Sequence, residues 1–245
     1  MKVIVLAAGY ATRLWPLTLN RPKPLLLIGK HPMLEHIIAR LRPIKEINDI
    51  YVITNTKFVK NFKEWKKSYK CSKRISVIDD KMKTLKERRG SIGDTLFAIE
   101  NKKIKDGTIV VAGDNLFDFD LGDFVRTAKK NSPSATIGLF DIRDKVLARE
   151  YGIVALDHNS KVVSFEEKPK KPKSTLAAMC FYYFPKEKLN AIKIYRKDGN
   201  PLDLAGSFIK WLAKKEDVYG YVFKGRWLDI GDKKSLKKAE KINWG

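Results

Sequence analysis

The stretch "VIVLAAGYATRLWPLTLNRPKPLL", Val3 to Leu26, decides how the chain is read. An apolar run long enough for one buried strand gives way at once to small residues, Ala7, Ala8, Gly9 and Ala11. Two spaced cations, Arg13 and Lys23, then follow among three prolines. Backbone amides in a turn of small residues can point at anion oxygens, and the cations add charge where phosphates would lie. A rigid connector is the plainer reading of the same residues. Two better-known phosphate loops are excluded. A dinucleotide loop needs G-x-G-x-x-G, of which only Gly9 is present, and a Walker loop needs a glycine at fixed distance before a lysine that Ser or Thr follows.

Working outward, strand-like and helix-like segments alternate, the pattern of a mostly parallel sheet covered by helices. "KVIVLAA" is the first strand. "MLEHIIARL" sets Leu34, Ile37, Ile38 and Leu41 at helical spacing, "DIYVITN" is a second strand, and "RISVID" a third. Between them, "TKFVKNFKEWKKSY" places Phe58, Phe62 and Trp65 on one stripe of a basic helix, a stripe that belongs in the core and not on a base-stacking platform. "GDTLFAIEN" reads as helix, and "GTIVVAG" as a fully buried fourth strand leading to Asp114. Ligands of such sheets collect at the carboxyl ends of strands, where both the opening loop and Asp114 fall.

The second half changes character. "YGIVALD", "KVVSFEEK" and "STLAAMCFYYF" are strands joined by turns, with Asp157 to Ser160 a hairpin connection, so the sheet becomes mixed. "DLAGSFIKWLAKK" returns to helix, "VYGYVFKG" to strand, and "KKSLKKAEKI" ends as a basic helix. The expectation is a Rossmann-like three-layer α/β/α fold with a mixed, mostly parallel central sheet. Without repeats or a flexible linker, residues 1–245 are expected to be one domain, with halves over 1–120 and 121–245.

Bulk properties bound the classes. The chain has 245 residues, 44% of them apolar, which suffices for a substantial core. No apolar run could span a bilayer and the N-terminus lacks the order of a signal peptide, so a cytoplasmic protein without membrane contact is expected. Cys71 and Cys180 form no metal-type pair, and His31, His36 and His158 make no ligand set. The formal charge of +22 raises the question of nucleic acid. Lysines are spread over nearly every segment, with modest clusters at 57–73 and 168–173, so nucleic-acid binding is not the expected main function. Abundant lysine without a single glutamine suits heat adaptation, which would account for much of the excess.

"LAAGYATRLWPLTLNRPKPLL" resembles the signature of the sugar-1-phosphate nucleotidylyltransferases, with its T-R-L, P-L-T and P-K-P elements. Further blocks follow in the order of that family: "VVAGDNLF" at 110–117, "YGIV" at 151–154, "FEEKP" at 165–169 and "GRWLDIGD" at 225–232. The resemblance covers almost the whole chain and is closest to a thymidylyltransferase-like branch that opens "LAAGYATRL". It implies an enzyme that joins a nucleoside triphosphate and a sugar 1-phosphate, with Mg2+, to give an NDP-sugar and pyrophosphate.

Carried over residue by residue, the resemblance implies that the backbone of Leu6, Ala7, Ala8, Gly9, Ala11 and Thr12 holds the nucleotide and that Arg13 binds the triphosphate. Lys23 would neutralise the α-phosphate region. Asp114 and Asp229 match the family's Mg2+ carboxylates. Tyr151 and Gly152 would line the sugar pocket, Glu167 would accept a sugar hydroxyl, and Lys168 would meet the sugar phosphate. Gly90 stands where the family's loop touches the base. Plainer readings exist: Arg13 could close a turn, Lys23 could be a solvated loop cation, Asp114 could simply end a strand, Asp229 could cap the last helix, and Glu167 with Lys168 could be an exposed charge pair.

Departures from the family pattern stand at Ala11 and Cys180, where relatives usually have glycine. At Ala11 either φ is negative or some strain is tolerated. No hexapeptide repeat is present, so an attached acetyltransferase is not expected. Among proteins of this type dimers and tetramers are frequent, which leaves a homo-oligomer open. Two other readings compete. A glycosyltransferase of related fold would use "DFD", Asp118 to Asp120, as its metal pair, although turn formation and capping of the next helix suit those aspartates better. A non-catalytic basic relative that regulates or binds nucleic acid would have lost catalytic residues, yet all stand in place.

Overall fold

In a computed structural model that describes residues 1–244, the first apolar run forms β1, Lys2–Leu6. Short strands β2, Leu27–Ile28, and β3, His31–Pro32, precede α1, Met33–Leu41. Next come β4, Asp49–Thr54, α2, Val59–Ser68, β5, Arg74–Asp79, and α3, Gly90–Asn101. β6, Thr108–Ala112, leads through Asp114 into β7, Asn115–Phe117, followed by α4, Gly122–Lys130, and β8, Ala135–Asp141. β9, Gly152–Leu156, β10, Val162–Glu167, and β11, Leu176–Phe184, form the turn-linked group. The chain ends with α5, Leu189–Lys197, α6, Ala205–Lys215, β12, Val218–Phe223, β13, Trp227–Asp229, and α7, Lys233–Glu240.

Two compact units emerge. The first comprises Met1–Arg89, Val111–Leu121 and Gly225–Gly245, and the second Gly90–Val110 and Gly122–Lys224. In the first, β1, β4 and β5 are parallel neighbours, with Lys2 opposite Asp49 and Asp49 opposite Arg74. The stripe on α2 is core, as its spacing predicts: Phe58, Phe62 and Trp65 are buried. A cluster of Leu14, Leu26, Met33, Leu116, Ile230 and Trp244 lies beneath the loops that follow β1 and β13. Those loops carry the candidate residues, so a dry floor fixes them from below.

The second unit holds the antiparallel part. β9 and β10 form the expected hairpin, with Asp157 to Ser160 as its turn, and β11 pairs with both β9 and β8. β12 runs parallel to β8, so the sheet is mixed within this unit as well. Aromatic rings fill its core: Phe124 meets Phe181 and Phe223, and Phe208 meets Phe184 and Tyr195. Strand β11 is bulged between Ala178 and Tyr182, and Cys180 inside the bulge has φ 51. A left-handed residue there is a backbone state that glycine adopts most easily.

Candidate active site

Strand β1 ends where sequence alone puts the phosphate loop, and the loop is held from below. Ala7 donates its N–H to the Ile53 carbonyl, while Thr54 and Asn55 donate side-chain bonds to the carbonyls of Ala7 and Ala8. Gly9 is exposed with open space around the position of a Cβ. Ala11 has φ 48 and ψ 47, so the choice left open above resolves to a strained left-handed alanine. Its carbonyl accepts bonds from Leu14 N–H and the Thr18 hydroxyl, which hold it there. One such residue costs about 1–2 kcal/mol relative to glycine's freedom. Thr12 to Leu14 form a single 3-10 turn that leaves Arg13 exposed.

Four charged residues converge within the first unit. Lys23, in a 3-10 turn that Pro22 and Pro24 stiffen, donates to Asp114 Oδ2 at 2.5 Å and to the Ile230 carbonyl at 2.8 Å. Asp114 follows Gly113, whose missing Cβ would stand 2.8 Å from the Leu6 carbonyl, so β1 and the Asp114 turn pack backbone to backbone. Antiparallel β7 and β13 set Asp229 opposite Asn115, and the Ile230 N–H donates to the Asp114 carbonyl. The Arg13 guanidinium lies 3.6 Å from the position a Gly231 Cβ would take.

Electrostatics follow from this packing. Burial, then the charge on Asp114, pushes the Asp229 carboxyl up to about 7, against the pull of Lys23 and Arg13. Burial and a neighbouring carboxylate together thus outweigh the two cations at Asp229. The suggestion that Asp229 caps the last helix is wrong in detail. Asp232 is the cap of α7, accepting from Ser235 N–H in a reciprocal capping box. Asp229 is therefore free of that structural duty.

Asp118 does not cap either. Its Oδ1 accepts the Arg226 N–H at 2.7 Å and its Oδ2 accepts Arg226 Nε at 2.5 Å. Burial disfavours its charge, but Arg226 outweighs burial and holds the carboxyl below its ordinary range. With both oxygens engaged, Asp118 is poorly suited to the metal pair that a glycosyltransferase would need. Among the described residues no cluster of three or more His, Cys, Asp or Glu is arranged for a metal.

Gly90, Tyr151, Gly152, Glu167 and Lys168 belong to the second unit. Gly152 opens β9, and a Cβ on it would stand 2.7 Å from the Phe165 ring and 3.0 Å from Glu167 Oε2. A Cβ on Gly206 of α6 would meet the same two side chains, at 2.6 and 3.2 Å. Glu167, at the end of β10, is flanked by two glycines for that reason. Partial burial raises its carboxyl, opposed by Lys168. Lys168 has φ 45, and its N–H donates to the Tyr151 carbonyl, tying "EEKP" to "YGIV". Gly90, φ +78, starts α3 where a Cβ would lie 2.4 Å from Asp203 Cα. The next two N–H groups of that helix, on Ser91 and Ile92, donate to Asp203 and Leu202 carbonyls. Close backbone packing thus demands Gly90 whatever else it touches.

Sequence reading missed Arg226, the second glycine, Gly206, and the Asp232 cap. The "RWLD" block itself was the available signal for the first. Among the described residues no helix is long and apolar enough to cross a membrane.

Comparison with known proteins bears on the family and the fold. Residues 2–243 match the family model described as nucleotidyl transferase. A bifunctional protein GlmU from Methanocaldococcus jannaschii is 30% identical over 246 residues, covering 98% of this chain and 54% of that one. A Sulfolobus acidocaldarius protein assigned as a mannose-1-phosphate guanyltransferase is 31% identical over 232 residues, covering 94% of this chain and 60% of that one. The chain thus spans little more than half the length of the curated relatives it matches. A crystal structure from Bacillus anthracis, assigned as a glucose-1-phosphate thymidylyltransferase and containing a sucrose, superposes with TM-score 0.80 at 26% identity, over 100% of this chain and 97% of that one. The mixed-sheet, three-layer α/β fold expected from the sequence is the one found. With its five sequence blocks in order and a family match running from residue 2 to 243, the chain belongs to the nucleotidyl transferase family.

Proposed function

We propose that the protein joins a nucleoside triphosphate to a sugar 1-phosphate, releasing an NDP-sugar and pyrophosphate by Mg2+-assisted in-line attack on the α-phosphate. The observation that carries this reading is the cluster of Arg13, Lys23, Asp114 and Asp229 at the loops after β1, β6 and β13. Family membership over the whole chain supports it.

The reaction forms one P–O bond and breaks one. An oxygen of the sugar 1-phosphate bonds to the α-phosphorus while the bond from that phosphorus to the bridging oxygen of the β-phosphate breaks, and pyrophosphate departs with the electron pair. A phosphate monoester is largely dianionic near neutral pH, so the attacking oxygen needs no base. The difficulty is bringing two anions together, and the chain's contribution is charge and alignment. Arg13 would lie along the triphosphate and stay with the leaving pyrophosphate. Lys23 would share its ammonium between Asp114 and the α-phosphate. The amides of the Leu6 to Thr12 turn would hold the nucleotide, with Gly9 giving the closest backbone approach, and Gly90 would border the base. In the second unit, Glu167 would accept a sugar hydroxyl, Lys168 would hold the sugar phosphate, and Tyr151 and Gly152 would line that pocket.

Asp114 and Asp229 suit a hard dication: Mg2+ is bound through one or two carboxylates with phosphates and waters completing the shell, and burial together with the charge of Asp114 raises the Asp229 carboxyl to about 7 despite Lys23 and Arg13. When bound there, Mg2+ would supply Lewis-acid stabilisation of charge on the phosphates. The same reading takes the protein to be cytoplasmic, acting on small phosphorylated substrates and not on nucleic acid, with a homo-oligomer in keeping with the family.

The test is a panel of nucleoside triphosphates crossed with sugar 1-phosphates, with Mg2+, read by pyrophosphate release. Release from at least one pair, dependent on both substrates, is expected. Silence across the panel, or triphosphate hydrolysis without need of the sugar phosphate, would overturn the proposal.

A further inference from the structure

We propose that Arg226 and Asp118 form a positioning clamp that sets the register of the β7–β13 ribbon and thereby holds Asp229 beside Asp114. The inference rests on the metal-pair reading of those two aspartates and adds residues that touch neither substrate nor metal in it.

The ribbon has only three residue pairs: Trp227 with Phe117, Leu228 with Leu116, and Asp229 with Asn115. So short a pairing is marginal by itself, and a slip of one residue would turn Asp229 to the opposite face. Both ends are closed by charge. At one end Lys23 bonds Asp114 and the Ile230 carbonyl. At the other, Asp118 accepts both the Arg226 N–H, at 2.7 Å, and its Nε, at 2.5 Å, and the Asp118 N–H donates back to the Arg226 carbonyl.

The clamp is anchored beyond the ribbon too. Arg226 Nη2 donates to the Asn243 carbonyl at 2.7 Å, and the guanidinium sits 5.9 Å from the centre of the Trp244 ring. Trp244 is only 3% exposed, and its indole donates to the Ala239 carbonyl on α7. Gly225, φ +134, leaves room for the Asp118 carboxylate, which would stand 2.7 Å from a Cβ there. A lysine at 226 could carry the charge but could not supply Nε and Nη2 to two partners in a fixed fork. The geometry therefore asks for arginine, which an ordinary surface ion pair would not.

Arg226→Ala and Asp118→Asn test the clamp in the full chain, with Lys233→Ala on the neighbouring helix as control. Two readouts do not depend on turnover: amide hydrogen exchange at Leu228 and Ile230, and Mn2+ binding by electron paramagnetic resonance. Each clamp variant is expected to exchange those amides at least about tenfold faster and to bind Mn2+ about tenfold more weakly, with the control unchanged, as for loss of a supporting partner around a metal. With the substrate pair found by the pyrophosphate assay, kcat should fall while KM for the nucleoside triphosphate stays within about twofold. Arg226→Lys should recover less than half of the Mn2+ affinity. Unchanged exchange and Mn2+ affinity in both variants would overturn the clamp, as would a loss of thermal stability with Mn2+ binding and kcat intact. Absence of pyrophosphate release by the wild-type protein would count against the enzymatic reading alone, since exchange at Ile230 reads the clamp directly.

Discussion

The two units hold their candidate residues by different means. In the first, Arg13, Lys23, Asp114 and Asp229 form a charge cluster in which Lys23 bonds one carboxylate and a backbone carbonyl, and burial raises the second carboxylate to about 7. In the second, Glu167 and Lys168 are placed by shape. Gly152 and Gly206 admit Phe165 and Glu167, and Lys168 is kept at φ 45 by the Tyr151 carbonyl. The difference suits the chemistry proposed for each. Stabilising a pentacovalent, highly charged phosphorus calls for fixed charges, whereas selecting a sugar calls for a fixed surface.

The contrast is sharpest in substitutions that change charge without volume. Asp114→Asn and Asp229→Asn are expected to lower pyrophosphate release at least about 1000-fold, while the thermal midpoint stays within a few degrees, because a like charge is removed from a crowded pair. Rates near wild type with Mg2+ would remove the metal pair from the account.

Adding volume should instead cripple the second unit. Gly152→Ala puts a methyl 2.7 Å from the buried Phe165 ring, and a cost of about 2 kcal/mol in urea unfolding is expected. The KM for sugar 1-phosphate should rise more than that for the triphosphate, since Glu167 must move. A variant as stable as the parent, with equal KM values, would break the distinction between charge and shape.

Strong acid should weaken the first unit at Asp49. The Arg74 bond, outweighing burial, and the Lys2 bond hold the Asp49 carboxyl at about 2, below its ordinary 3.8. A depressed carboxyl contributes stability above its unfolded value and loses it as pH falls through the folded one. About 1–2 kcal/mol should therefore disappear between roughly pH 4 and pH 2, discounted because Arg74 is mostly solvent-exposed. Asp49→Asn should flatten that window in equilibrium unfolding. An unchanged pH profile would show that the bridge adds nothing.

The smallest effect is expected at Ala11. Ala11→Gly relieves a left-handed alanine but adds unfolded-state freedom, so the net gain in stability should be about 0.5 kcal/mol, with nucleotide affinity equal or better. A clear loss of stability would mean that the methyl's packing matters more than its backbone strain.

Much of this was legible in the sequence because it was periodic or blockwise. The stripe of Phe58, Phe62 and Trp65, the hairpin at Asp157 to Ser160 and the run from Val3 into the loop after β1 each have a short-range cause. Strand β8 and helix α5 escaped that reading, and α4 was met only as the helix after Asp118 to Asp120; "ATIGLFD" opens on a fully buried run without alternation, and α5 is only nine residues long. The ribbon of β7 and β13 is invisible locally, since it joins residues more than a hundred positions apart through three pairs. Duties of individual aspartates were the hardest to read. Asp118, Asp229 and Asp232 are alike by type, and only tertiary partners make the first a clamp, the second a crowded carboxylate and the third a cap. Left-handed backbone at Ala11, Lys168 and Cys180 has no signal in residue type either.

The reverse reaction tests the central claim most directly. Incubated with an NDP-sugar, labelled pyrophosphate and Mg2+, the protein should move label into nucleoside triphosphate and release sugar 1-phosphate in equal amount, and Asp114→Asn should do neither. Transfer of the sugar to an acceptor with the label left in pyrophosphate would contradict it.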